Sequence, residues 1–243
     1  MSLMSGGQGG ARRRGATEAK SGWAVRAYLL ASMVVSALLL AGCASAPGEP
    51  GPTASADATP EQTIAYARSL SDRGQAEQAA AVLQIAAMRN PESRDLRAAY
   101  GKSLIATGQF KEAAQVLANA HTPDSPDASI LSAQGVIADN LGDHRAARAY
   151  YQRALNIEPN NPAILTNLAL SYAMTGNSAE AIRILRTAAA LPNATPATRQ
   201  TLATLLFTQG QVTEAEQLFA RDLTPDQARS NIEWLRQNRA GGS

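Results

Sequence analysis

The chain has 243 residues, 45% apolar, 17% charged and only 5% aromatic, with 22 basic and 20 acidic side chains for a formal charge of +2. One cysteine excludes an internal disulfide, a multi-cysteine zinc site and a cysteine-ligated iron–sulfur cluster, and two histidines, His121 and His144, leave little for a histidine metal centre. The near-neutral charge argues against a nucleic-acid binder, and the apolar fraction is that of one or two folded domains rather than a disordered chain.

The first element is a leader, residues 1–42. Residues 1–26 hold Arg12, Arg13, Arg14, Lys20 and Arg26 against one acid, Glu18, and residues 27–41 (AYLLASMVVSALLLA) carry no charge. A basic segment followed by an apolar run of this length has the form of a secretory signal, whose apolar core is ~7–15 residues. A permanent span needs ~20 apolar residues. Leu40-Ala41-Gly42-Cys43 follows directly and resembles the lipobox of bacterial lipoproteins. The resemblance implies cleavage before Cys43 and acylation of that cysteine. The alternative is a conventional cleavage site after Ala44-Ser45-Ala46, with Cys43 an ordinary small residue. Loss of residues 1–42 removes five bases and one acid, leaving 17 against 19, a net charge of −2. Ala44 stands where an aspartate would resemble an inner-membrane retention signal, which favours an outer-membrane lipoprotein facing the periplasm, with the inner membrane as the alternative.

Residues 43–59 form a linker that carries the cysteine and is otherwise almost entirely Ala, Pro, Gly, Ser and Thr. That composition cannot bury a core and predicts an extended tether.

A single period governs the chain from residue 60 onward. Gly74, Gly108, Gly142, Gly176 and Gly210 are each 34 residues apart, and an alanine stands five residues after each: Ala79, Ala113, Ala147, Ala181 and Ala215. Pro60, Pro162 and Pro196 keep the same phase. Apolar side chains at i, i+3, i+4 spacing, such as Ile164, Leu168 and Tyr172 and then Ile182 and Leu185, predict two helices per unit. The glycines suit left-handed helix termini. Thr59-Pro60, Asn161-Pro162, Thr195-Pro196 and Thr224-Pro225 predict helix starts with a capping side chain before a proline. Thr59 with Gln62, and Thr224 with Gln227, read as capping boxes.

Period and pattern resemble the tetratricopeptide repeat. The third unit matches best, with Gly135, Gly142, Ala147, Tyr151, Ala154 and Pro159 at signature positions, and no unit keeps the family's early tryptophan. The resemblance implies an all-α fold, a right-handed α-solenoid of about five repeats over 60–224 (60–93, 94–127, 128–161, 162–195 and 196–224). The remaining 225–243 reads as a capping helix and tail, with Ile232 and Leu235 facing inward and Trp234 in the packing or at its rim; the alternative is Trp234 as part of a partner surface.

The sequence holds no Ser/His/Asp elbow, HExxH or phosphate loop, so no catalytic residue, metal or cofactor is expected. His121 and His144 read as solvated surface residues. What such an array offers is binding. In the family the first helix of each repeat lines a concave groove, chiefly through positions 2, 5, 9, 12 and 13. That assigns Lys102, Ile105, Val136, Asp139, Asn140, Thr166, Leu170, Met174, Gln200, Thr204 and Phe207 to the groove, with Asn167 at position 6 able to hydrogen-bond a ligand backbone. Ordinary interhelical packing is the alternative role for Leu170, Met174 and Phe207. The trough is mostly apolar with a few amides and hydroxyls, suited to an extended or helical peptide. Ile64 and Arg68 stand where chaperone-binding relatives carry Lys and Asn, so capture of a C-terminal carboxylate is not expected.

A further tract, Asn167-Leu168-Ala169-Leu170, Gly176, Ala179-Glu180-Ala181, Thr195-Pro196, Arg199-Gln200, Leu202-Ala203, Asp222-Leu223 and Asn231-Ile232, resembles the repeat-containing lipoprotein of tight-adherence (Flp) pilus assembly systems. This resemblance implies a scaffold that helps build or position the secretin. Two alternatives share the same features: an envelope adaptor recruiting peptidoglycan enzymes or outer-membrane assembly factors, and an accessory subunit of an enzyme complex.

Overall fold

The computed structural model describes residues 58–118, 120 and 126–240. The lipobox, Cys43 and His121 lie outside them. The described residues form α-helices joined by short turns, with no strand among them. In chain order these are α1 (Pro60–Asp72), α2 (Ala76–Arg89), α3 (Arg94–Ala106), α4 (Phe110–Ala118), α5 (Ala128–Asn140), α6 (His144–Ile157), α7 (Pro162–Met174), α8 (Ser178–Ala190), α9 (Pro196–Thr208), α10 (Val212–Asp222) and α11 (Pro225–Ala240).

Each odd-numbered helix from α1 to α9 pairs with the helix after it. The turn between them is the same five times. Gly74, Gly108, Gly142, Gly176 and Gly210 have φ between 76° and 88°. The next residue's N–H reaches back across the turn, as in Gln75 N to Leu70 O (2.9 Å) and Asp143 N to Ala138 O (2.9 Å). This is the six-to-one bond of a Schellman ending, and it needs a residue that tolerates the left-handed region. The reversal brings the next helix back antiparallel. The alanine five residues on, Ala79, Ala113, Ala147, Ala181 or Ala215, has no exposed surface in any repeat.

The helix starts follow the capping expectation. Thr59 and Gln62 form a complete capping box, Asn161 accepts from Ala163 N and Ile164 N, and Thr195 accepts from Thr198 N. Thr224 and Gln227 bond reciprocally at the start of α11.

Gly101 and Gly135 serve close packing between the two helices of a repeat. A Cβ on Gly101 would sit 2.4 Å from Leu117 Cδ2, and one on Gly135 would sit 2.4 Å from Tyr151 Cε1. A leucine and a tyrosine of the second helix therefore fill the hole that each glycine leaves.

Pairs stack so that α1, α3, α5, α7 and α9 touch one another in sequence, while each even-numbered helix packs between its own partner and the next odd-numbered helix. The odd-numbered helices thus make one continuous inner layer. The core divides into two clusters that meet on α5. One runs from Ala67 to Ile137 and the other from Ala128 to Leu235. Ile130, Ala133 and Ile137 of α5 belong to the first, and Ala128, Leu131 and Ala138 to the second. Helix α11 closes the far end through Ala228 and Leu235, with Ile232 and Trp234 half-buried against the second cluster.

Candidate functional site

The inner layer carries the side chains expected to line a groove, and they do not share one environment. Position 9 of the five repeats shows the trend. Arg68 and Lys102 are exposed, Val136 is half-buried, and Leu170 and Thr204 are buried. At this position the face is open in the first two repeats and closed in the last two. Equivalent register therefore does not confer equivalent exposure.

Lys102, Ile105, Val136, Asn140, Thr166, Asn167, Met174 and Gln200 keep exposed or half-exposed surface. The Lys102 ammonium donates to Ser129 Oγ, linking α3 to α5. Asn167 Nδ2 donates to Ser132 Oγ (3.2 Å), linking α7 to α5. Asn140 Nδ2 bonds its own helix at Val136 O (2.8 Å), and Thr166 Oγ1 bonds Pro162 O (2.7 Å). Lysine has three donors and each amide has further donors and acceptors, so every one of these groups retains capacity for a ligand backbone. Ile105, Val136 and Met174 supply apolar contact beside them.

The other four groove candidates lie inside the packing. Phe207 is 2% exposed and belongs to the core. Leu170 and Thr204 are likewise buried. Position 12 is exposed at Ser71, half-exposed at Ile105 and buried at Asp139, Ala173 and Phe207, so this register too closes along the array.

Asp139, at the same register, is the instructive case. It is buried and accepts three hydrogen bonds: from Ser171 Oγ at 2.8 Å, from Tyr151 OH at 3.0 Å, and across a 2.8 Å contact with His144 Nδ1. It thus joins α5, α6 and α7. Tyr151 is held protonated by burial first and by the Asp139 charge second. His144 departs from the solvated surface residue expected. Its side chain keeps only 15% of its surface, because the turn at Gly142 brings the start of α6 back over the end of α5.

A second polar strut lies in the last repeat. Arg199 grips Asp222 with two bonds of 2.6 Å and donates a third to Ala194 O at 2.9 Å. The guanidinium bonds hold the Asp222 carboxyl below the ordinary carboxylate range. Neither strut was legible in the sequence, because residues 23 apart on one helix pair, or 32 apart across two repeats, become neighbours only once the helices pack. No group of three or more His, Cys, Asp or Glu residues among the described residues is placed to hold a metal ion.

Residues 70–135 and 141–197 match the tetratricopeptide-repeat family, and residues 197–224 match another tetratricopeptide-repeat description. The chain belongs to the tetratricopeptide-repeat family. Among solved structures, this repeat array is similar to TTC0263, a thermophilic tetratricopeptide-repeat protein of Thermus thermophilus, with a TM-score of 0.62 and 21% identity over 75% of this chain and 97% of that one. It is also similar to pilF of Pseudomonas aeruginosa, with a TM-score of 0.55 and 21% identity over 75% and 87%. A third likeness is to the APC/C hetero-tetramer Cut9–Hcn1, with a TM-score of 0.59 and 19% identity over 72% of this chain and 36% of that one. No curated protein matches the chain. At these identities the likenesses establish the fold, an α-solenoid of tetratricopeptide repeats, which is an interaction scaffold for protein partners.

Proposed function

We propose that the protein is a membrane-anchored interaction scaffold, held through acylated Cys43 and a short tether, which supports assembly or localisation of a tight-adherence (Flp) pilus apparatus. The observation that carries the binding role is the continuous inner layer, with Lys102, Asn140, Asn167 and Gln200 presented beside Ile105, Val136 and Met174 on its open part. Spaced amides among apolar side chains suit a peptide segment that buries a few side chains and satisfies its own backbone on the wall. The partner proposed is a secretin subunit or another pilus-assembly component. The membrane proposed is the outer one, on its periplasmic side.

Cross-linking followed by co-purification from solubilised envelopes tests this. Recovery of a secretin ring is expected. Recovery of a peptidoglycan hydrolase or an outer-membrane assembly factor without a secretin would replace the pilus role with that of a general envelope adaptor. The groove is tested separately with Lys102→Glu and Asn140→Arg, two exposed positions where the fold tolerates a charge. Partner recovery should be lost while helical circular dichroism is unchanged. Phe207 is unsuitable for that purpose, since a carboxylate in its buried site would unfold the last repeats.

A further inference from the structure

Helix α2 has an outer face unlike that of α6, α8 and α10. Ile85 and Met88 are 51% and 75% exposed, and with exposed Ala81 they form a stripe at i, i+4, i+7 spacing. The positions two, three and four periods on carry Arg153 and Asn156 on α6, Thr187 and Ala190 on α8, and Arg221 and Thr224 in the last repeat, all exposed and mostly polar. The second helices of repeats three to five thus expose mostly polar side chains, with Ile157 at 42% the large apolar exception among the described residues, while α2 exposes two such side chains together.

The stripe also has a particular place. Arg73, Gly74 and Gln75 turn α2 back antiparallel on α1, so the Met88 end of α2 lies beside Thr59 and Pro60, where the chain enters the fold. Only residues 44–59 separate Cys43 from that point. Sixteen residues reach at most ~55 Å when extended, and ~22 Å as a flexible coil. A tether of that length keeps the first repeat at high local concentration near whatever holds Cys43. Two exposed apolar side chains would bind a bilayer too weakly to matter in a free protein. On a tether they need only bias orientation.

We infer that the outer face of α2 is a lipid-contact edge, through which Ile85 and Met88 dip into the membrane interface and set the orientation of the solenoid. The inference rests on the proposed anchor at Cys43. Arg89 and Arg94 stand against Glu61, Glu92 and Asp95 around this end, so apolar burial rather than charge drives the contact. The first repeat then lies against the bilayer, and the remaining repeats extend from it with their polar outer face in water.

The test uses the full chain, matured in its host and reconstituted into phosphatidylethanolamine–phosphatidylglycerol vesicles containing a lipid-borne quencher. Met88→Cys and Asn156→Cys are labelled in turn with a thiol-reactive fluorophore, Cys43 being acylated. Both sites are exposed, and circular dichroism verifies the fold. The label at 88 should be quenched several-fold more than the label at 156, with little change at high salt. Adding Ile85→Ser to the Met88→Cys chain should lower that difference.

Equal quenching at the two sites, in a chain that floats with the vesicles, overturns the lipid edge and leaves the anchor standing. Disulfide-linked dimers of the unlabelled Met88→Cys chain, with no excess quenching at 88, overturn it in favour of a second copy on α2. A chain that fails to float sinks the anchor and the edge together.

Discussion

The first two repeats and the last three share a backbone period and hold themselves together differently. The N-terminal cluster is aliphatic: Leu70, Leu83, Leu96, Leu104 and Leu117 among alanines, with Tyr100 the buried aromatic there. Where α4 meets α5, Gln134 donates to Leu117 O at a long 3.5 Å, and its Oε1 is buried with no hydrogen-bond partner. The C-terminal cluster buries Tyr151, Phe207 and Phe219 and is crossed by the Asp139 and Arg199 struts. Arg148 stacks 5.0 Å over Tyr172 beside them, and Arg186–Glu214 bridges α8 to α10. A repeat array is stable through its own units and their nearest-neighbour interfaces. The comparison thus teaches that the period specifies the joints, while the filling decides how firmly each joint is held. The C-terminal three repeats should open last, which hydrogen exchange along the chain would read directly.

The sharpest way to break that contrast is Asp139→Leu. It leaves Ser171 and Tyr151 without their buried acceptor and His144 without its carboxylate, and should cost about 3 kcal/mol, seen as faster exchange across α5 to α7. Asp139→Asn keeps an acceptor and should cost less. If Asp139→Leu exchanges like the wild type, the strut contributes nothing and the contrast is false.

A methyl group at each close-packed glycine probes the two clusters in the same way. Gly135→Ala drives its Cβ into the Tyr151 ring, whose hydroxyl is pinned by Asp139. Overpacking of this kind costs about 1–3 kcal/mol. Gly101→Ala drives its Cβ to 2.4 Å from Cδ2 and 2.5 Å from Cγ of the fully buried Leu117, but that side chain has no hydrogen bond to pin it, so the variant should destabilise by less than Gly135→Ala. Equal shifts in Tm for the two variants would show that the clusters are equally tight.

The acid limb separates the regions by pH. Asp222 has its folded pKa depressed by Arg199, so its contribution is fully present above the ordinary carboxylate value and is lost as pH falls through the depressed one. Urea midpoints of the wild type should therefore fall below about pH 4. Those of Asp222→Asn should be lower throughout and flatter in that window. A wild-type midpoint that does not move there would remove the strut from the energetics.

Tyr100→Phe is the smallest expected change. The Tyr100 hydroxyl is pushed up to about 12, by burial first and then by its 2.7 Å bond to Glu112, which joins α3 to α4. Its removal should cost about 1 kcal/mol, confined to the first cluster. A loss that spread to the last repeats would mean the clusters unfold as one.

Much of the fold was legible because the information is local. A glycine five residues before an alanine, or a threonine before a proline, acts within one turn of helix, and five recurrences make each instance readable. The candidate groove was legible only as a register. Asp139, Leu170, Thr204 and Phe207 occupy groove positions by count and lie in the packing, because curvature and neighbouring turns decide which side of a helix remains open. His144 looked solvated for the same reason, its partner being on another helix.

By itself the sequence determined the period, the left-handed glycine turns, the caps and the all-helical class, since each follows from short-range sterics and hydrogen bonding. Only the tertiary structure decided which inner-layer residues stay open, where the two polar struts lie, and that α2 exposes Ile85 and Met88 on its outer face. Those depend on contacts between separate helices, which no local pattern encodes.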